Sequence, residues 1–234
     1  MPKVASDPPA PCRDQSFEGE IYVVCVLPPT GYAISLVRND GHADPTATVM
    51  DAVRARIAAG RPPLVAMNAG MYDPELDAIG LLIEDGATLS PLNLNDGPGN
   101  FHLKPNGVFA VDRSGRARVI DAARWSPGPD IAFATQSGPM LVIDGKLHPA
   151  FAADGSSRYR RNGVGVRSDG TVVFAISRQR VSFGAFARLF RDVLDCPNAL
   201  FLDGAVSTLA NPEGSIVGGA APAGPVLIVD PASR

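Results

Sequence analysis

Five short polar clusters interrupt the apolar runs of this 234-residue chain, and each sets glycine beside residues that can hydrogen-bond or carry charge. They are Asn68-Ala69-Gly70-Met71-Tyr72-Asp73, the segment from Gly99 to Gly107, Thr135-Gln136-Ser137-Gly138-Pro139, the segment from Arg160 to Val166, and Asp203-Gly204-Ala205-Val206-Ser207-Thr208. Amides and hydroxyls beside glycine suit multidentate recognition of sugar hydroxyls. Lys104 and Arg161 supply cations that could hold an anion. Asp203 ends the apolar run Ala199 to Leu202, which is bounded by Pro197 and Gly204, and a carboxylate there could serve as base or nucleophile. Jointly the clusters predict a carbohydrate or phosphate site.

Each residue also has a plainer reading. Asp203 could cap a strand turn. Arg161 belongs to a small basic run with Arg158 and Arg160, and surface arginines are common. Lys104 precedes Pro105 in a loop, where lysines are usually solvated. His102 is of a residue type common in acid–base catalysis but has no obvious partner in the sequence. His42 and His148 read as loop residues. Asp73, Glu75 and Asp77 alternate as cation ligands might, but the segment lacks the glycine and terminal acid of an EF-hand, so no metal is expected. Asp85, Asp144 and Asp169 precede glycines and read as turn residues.

The elements that must position these groups are mostly strands. Ile21 to Leu27 and Tyr32 to Val37 read as a hairpin around Pro28-Pro29-Thr30-Gly31. Short apolar runs come after it: 64–67, 81–83, 108–111, 131–134, 140–143, 172–176 and 225–230. Asp112 to Gly115, Asp144-Gly145 and Ser168 to Gly170 are hairpin signals between some of them. One helix is expected from Asp44 to Gly60, with Pro45 in its first turn and Met50, Val53 and Ile57 on its apolar face. A second is expected from Ser182 to Asp195, where Phe183, Phe186, Ala187, Phe190, Val193 and Leu194 form a helical stripe. The reading is α+β, one strand-rich domain over 16–234 with a mixed β-sheet and a few flanking helices, after a flexible lead-in over 1–15.

Composition narrows the function classes. With 45% hydrophobic residues the chain can build a substantial core. A net charge of −3 offers no basic field for a nucleic-acid backbone, and 6% aromatic residues leave little for base stacking. No stretch approaches the ~20 apolar residues of a membrane span. No Gly-rich phosphate loop, Gly-x-Ser-x-Gly elbow or Cys-x-x-Cys pair is present. The first eleven residues lack the apolar core of a signal peptide and read as the stretch left after one is removed. Cys12 and Cys25 flank the turn signal Glu18-Gly19, and a disulfide between them is expected. With it goes a periplasmic or secreted location. Cys196 reads as a buried small hydrophobe.

The order Asn68-Ala69-Gly70-Met71-Tyr72, Gln136-Ser137-Gly138-Pro139, Arg161-Asn162-Gly163-Val164-Gly165 and Leu202-Asp203-Gly204 with Ser207 resembles the phosphodiester glycosidase family. The resemblance runs from about Leu64 to the C-terminus. It includes a bacterial subgroup with Gly-Asn-Phe-His-Leu-Lys-Pro-Asn-Gly, here residues 99–107. The reaction it implies is hydrolysis of a sugar 1-phosphodiester between the anomeric carbon and oxygen, on a cell-envelope or exopolysaccharide glycan, with no cofactor. A phosphomonoester leaves as a weak base, so such a reaction needs cationic stabilisation of the phosphate and a carboxylate near the developing oxocarbenium ion.

On that reading Asp203, Arg161 and Lys104 are the candidate catalytic residues. Asn68, Tyr72, His102, Asn106, Gln136, Ser137, Asn162, Gly204, Ser207 and Thr208 are the candidate substrate contacts. Two other classes stay open: a glycan-binding module in which Asp203 does no chemistry, and a phosphoesterase that cleaves the phosphorus–oxygen bond. In one respect the chain departs from the family pattern. Ala205 and Val206 stand where smaller residues are usual, which implies a different substrate and a floor narrowed by the branched Val206.

Overall fold

The computed structural model describes residues 9–39, 43–128 and 130–232. His42 and the first eight residues of the expected lead-in lie outside them. Three β-sheets dominate. The largest has seven strands: β1 (Cys12–Phe17), β2 (Glu20–Leu27), β13 (Val172–Ser177), β12 (Asn162–Val166), β14 (Asn198–Asp203), β10 (Met140–Ile143) and β11 (Lys146–Leu147), in that spatial order. A second runs β16 (Gly214–Val217), β15 (Leu209–Asn211), β4 (Val65–Asn68), β17 (Pro225–Pro231), β3 (Tyr32–Arg38). The third runs β6 (Ala87–Ser90), β5 (Leu82–Glu84), β9 (Ile131–Ser137), β7 (Gly107–Asp112), β8 (Ala117–Asp121).

The strand-rich expectation holds, but the mixed sheet is corrected: every strand pairing among the described residues is antiparallel. Tight turns explain much of this, because two-residue hairpins join antiparallel neighbours without a crossover helix. Glu18-Gly19, Asp85-Gly86 and Asp144-Gly145 all take positive φ at both residues, the conformation that matches strand twist. The hairpins expected at Asp112 to Gly115, Asp144-Gly145 and Ser168 to Gly170 are formed.

The hairpin expected across Pro28 to Gly31 is not. The turn closes, with Gly31 N–H donating to the Pro28 carbonyl at 3.1 Å. But β2 already has β1 on one side and β13 on the other, so β3 finds no free edge there and pairs with β17 in the second sheet. The lead-in is also shorter than expected. Residues 12–15 belong to β1, where Cys12 lies opposite Cys25 and the two form a disulfide. Reducing that bond is expected to lower stability by about 3 kcal/mol in the chain-entropy estimate. Urea denaturation with and without reductant, repeated on Cys12→Ser/Cys25→Ser, measures it.

Both helices are shorter than their sequence patterns. The first, α1 (Val49–Ala58), starts four residues beyond Pro45 because Thr48 and Asp51 form a reciprocal capping box. Asp44 instead caps its own turn by accepting from Thr46 N–H at 2.9 Å. The buried face is Val49, Ala52 and Val53, and Ile57 is exposed. The second, α2 (Phe183–Arg188), begins at Ser182, whose hydroxyl accepts from Ala185 N–H, and continues as one π-helical turn over Leu189–Val193. Its expected stripe is largely buried: Phe186, Ala187, Phe190 and Leu194. No helix among the described residues is long and apolar enough to cross a membrane.

One apolar cluster joins all three sheets. Cys25 and Leu27 of β2, Met67 of β4, Phe109 of β7, Phe133 of β9, Phe174 of β13, Leu202 of β14 and Leu227 of β17 belong to it. Phe109 stacks edge-on against both Phe133 and Phe174. The other face of the large sheet packs on α2, and α1 packs on the outer face of the second sheet. Polar residues gather at the strand ends around this shared core. Asn68 ends β4, Ser137 ends β9, Asp203 ends β14 and Asn162 begins β12. Each sheet contributes at least one of them.

Candidate functional site

A bulge sets where the Asp203 carboxylate goes. Asn162 lies opposite Asp203 while Gly163 lies opposite Phe201, which leaves Leu202 as an extra residue in β14. Such an insertion bends the strand and re-aims the side chain beside it. The carboxylate is buried. Its Oδ1 accepts from the N–H groups of Gly204 at 2.5 Å and Ala205 at 2.7 Å. Its Oδ2 accepts from Val206 N–H at 3.3 Å and Asn68 Nδ2 at 3.4 Å, both long, so Oδ2 is the less committed oxygen. Burial pushes the pKa up, against the N–H groups of Ala205, Gly204 and Val206 that favour the anion. Asp203 therefore is the turn cap of its plainer reading and a desolvated acid as well.

Asn68, Asn162, Ser207 and Thr208 form one buried network around it. Asn162 Nδ2 donates to the Asn68 carbonyl at 2.9 Å and to Asn68 Oδ1 at 3.1 Å, and its Oδ1 accepts from Asp203 N–H at 3.0 Å. Asn68 Oδ1 also accepts from Thr208 N–H at 2.8 Å. The Ser207 hydroxyl lies 2.9 Å from the Asp203 carbonyl and 3.1 Å from the Arg160 carbonyl. Thr208 Oγ1 donates to the Val206 carbonyl at 2.8 Å. These amides and hydroxyls are spent on one another, so they lock the Asp203 turn rather than face outward.

Arg161 is the other buried charge. Its side chain is fully enclosed, which rules out its plainer reading as a surface arginine. Nε donates to the Val181 carbonyl at 3.0 Å and Nη2 to the Ser157 carbonyl at 2.8 Å. The guanidinium lies 3.5 Å from the centre of the Phe183 ring, with Phe201 and Tyr159 at 5.3 and 5.7 Å. Nη1 has no hydrogen-bond partner, and no carboxylate pairs with the group among the described residues. Burial lowers its pKa to about 10, which leaves it a cation at neutral pH. A Cβ added at Gly204 would lie 3.6 Å from Nη1, so the idle donor sits at the Asp203 turn. An open cleft of about 390 Å³ runs past both groups, lined by Met71, Asn100, Ser157, Tyr159, Gly204 and Ala205 besides Arg161 and Asp203.

Other candidates from the sequence are employed elsewhere. Lys104 Nζ donates to Asp96 at 2.6 Å and to the Leu94 carbonyl at 2.7 Å, and it is not among the residues lining this cleft. Gln136 accepts from the N–H groups of Leu81 and Asn93, both at 2.9 Å, and donates to the Asn93 carbonyl at 2.6 Å. Ser137 donates to the Leu202 carbonyl at 2.9 Å and Asn106 to the Phe101 carbonyl at 3.1 Å. His102 Nδ1 lies 2.9 Å from the Asn95 carbonyl, a backbone partner that no side-chain pattern marks. The Tyr72 hydroxyl donates to the Pro222 carbonyl, and burial with the nearby Asp203 charge raises its pKa. Gln136→Leu is expected to cost about 2–4 kcal/mol, since it strands the buried Leu81 N–H and the part-buried N–H and carbonyl of Asn93. Chemical denaturation of that variant against wild type checks it.

Val206 is corrected too. Its side chain packs with the cluster under α1, so Ala205, not Val206, lines the cleft, and neither takes a positive φ. Tyr159, Asn100, Ser157 and Met71 are the lining residues not singled out from the sequence. Asn100 and Met71 stood inside the polar clusters, and Ser157 and Tyr159 fell outside them. Cys196 is buried as expected, and burial pushes its thiol up to about 12.

The fold has a solved counterpart. The zebrafish N-acetylglucosamine-1-phosphodiester alpha-N-acetylglucosaminidase catalytic domain, auto-inhibited by its pro-peptide, matches 98% of this chain and 87% of that one with a TM-score of 0.66 at 14% identity. In sequence, Uncharacterized protein YigE of Escherichia coli (strain K12) is 40% identical over 154 residues, or 65% of this chain. The chain matches 59% of that relative's length. The family description Phosphodiester glycosidase covers residues 63–225, from the start of β4 through the Asp203 turn to the start of β17, and the chain belongs to that family.

Proposed function

We propose that this chain hydrolyses a sugar 1-phosphodiester at the bond between the anomeric carbon and its oxygen. The observation that carries the reading is Arg161: a buried cation without a carboxylate, its Nη1 idle, beside a buried acid in one open cleft. An unpaired buried charge is costly, and a bound phosphate would supply the missing partner. As the C1–O bond breaks, its electron pair leaves on the phosphate oxygen, where Arg161 stabilises it. Water attacks C1 and its proton passes to Asp203 Oδ2, the oxygen held only by long hydrogen bonds. The products are the free sugar and a phosphomonoester. Lys104 has no part in this proposal, because Asp96 already engages it.

The Cys12–Cys25 disulfide supports an exported site of action, and the substrate proposed there is a cell-envelope or exopolysaccharide glycan. Incubation with an N-acetylglucosamine-1-phosphomethyl ester or UDP-GlcNAc in ¹⁸O water tests the reaction. Label in the released sugar is the expected result. Label in the phosphate would replace this reading with phosphorus–oxygen cleavage. Binding without turnover would leave a glycan-binding module.

A further inference from the structure

Two lining residues of the cleft carry polar side-chain atoms that the fold does not use. The phenol oxygen of Tyr159 and the side-chain amide of Asn100 make no hydrogen bond among the described residues. Tyr159 is 52% exposed, one of the few large apolar side chains left in water. It is not loose. Its backbone exchanges two hydrogen bonds with Val181, at 2.8 and 3.2 Å, and its ring stands 5.7 Å from the Arg161 guanidinium. The same ladder pins Arg161, whose Nε bonds the Val181 carbonyl. One short extended segment thus presents a buried guanidinium and an aromatic face two residues apart on the same side.

We propose that Tyr159 is the platform on which the sugar ring stacks, with Asn100 reading a hydroxyl or acetamido group at its edge. This rests on the phosphate site proposed for Arg161 and names the part of the substrate that site leaves undefined. A pyranose has an apolar face of C–H groups and a rim of polar ones, which calls for an aromatic wall plus few, well-placed amides. The wall selects for a sugar over a simple alkyl group on the phosphate. Tyr159 belongs to the binding surface, so its loss removes affinity for the sugar and not for the anion.

The test uses the full chain and two probes, N-acetylglucosamine 1-phosphate and inorganic phosphate, measured by calorimetry. Tyr159→Leu is expected to weaken the sugar phosphate about tenfold and leave inorganic phosphate unchanged, while Tyr159→Phe keeps both. Ligand NMR adds a second readout: sugar C–H protons should show upfield ring-current shifts with wild type and Tyr159→Phe, absent with Tyr159→Leu. Asn100→Ala is expected to weaken the sugar phosphate alone. Unchanged binding of both probes to Tyr159→Leu, or an equal loss of both, overturns the platform while the Arg161 site stands. Failure of wild type to bind either probe removes the Arg161 reading and the platform with it.

Discussion

Asp203→Asn is expected to lower kcat/KM for a sugar 1-phosphodiester by about 10³-fold or more, with the fold retained and substrate still bound. The substitution preserves shape and keeps an oxygen for the Gly204 and Ala205 N–H groups, which now cap the turn at 2.5 and 2.7 Å. What it removes is the basic Oδ2. A variant with wild-type turnover would assign the carboxylate to turn structure alone. The pH profile gives an independent check. Burial raises the Asp203 pKa, so the acid limb of kcat/KM should fall above the ordinary carboxylate value of about 4. Activity is lost as pH falls through that raised value, because the protonated acid cannot accept from water.

The same shift has a signed effect on stability. The native carboxyl holds its proton to a higher pH than the unfolded chain's. Stability therefore declines as pH rises from the ordinary carboxylate range through the raised native value, and levels off beyond it. This part of the pH–stability profile should vanish in Asp203→Asn.

Arg161→Met should produce the second large effect, a fall in kcat/KM of about 10²–10³-fold together with loss of phosphate binding. Met can refill the space above Phe183, where the guanidinium now lies 3.5 Å from the ring centre. It cannot meet an anion. Inorganic phosphate at about 100 times its Kd should stabilise wild type by about 2.7 kcal/mol and leave the Met variant unmoved. Differential scanning calorimetry across a phosphate series reads this. Arg161→Lys should recover little. A single ammonium cannot satisfy the Val181 carbonyl and Ser157 while also keeping a free donor at the Asp203 turn. Phosphate stabilisation that survives in Arg161→Met would place the anion elsewhere.

The arginine also shows where sequence reading stops. Arg158, Arg160 and Arg161 look alike as a basic run, yet their environments diverge. Arg158 pairs with Glu20 at the surface, whereas Arg161 is fully enclosed and stacked on Phe183. Extended backbone sends alternate side chains to opposite faces, but which face is interior depends on the strands and helix packed there. Phe183 likewise reads as core from its helical spacing, and only contact with Arg161 makes it a support for a charge. Gln136 and Lys104 carry the chemistry of ligand contacts in sequence. Their partners, Leu81, Asn93 and Asp96, lie in loops whose approach no local pattern records.

What the residues determined by themselves was local. The alternation and length of apolar runs marked the strands, Asp-Gly and similar pairs marked the two-residue hairpins, and Ser182 marked a helix start. The ordered polar clusters marked the family and pointed to Asp203, Asn68, Asn162 and Arg161. All of these depend on interactions within a few residues or on a motif read along the chain. Partner choice did not. That β3 leaves β2 for β17, that Leu202 bulges to aim Asp203, and that Arg161 is buried with an idle Nη1 were decided by tertiary structure. The reason is physical. Edge availability, register and desolvation are properties of surfaces that exist only once distant segments have met.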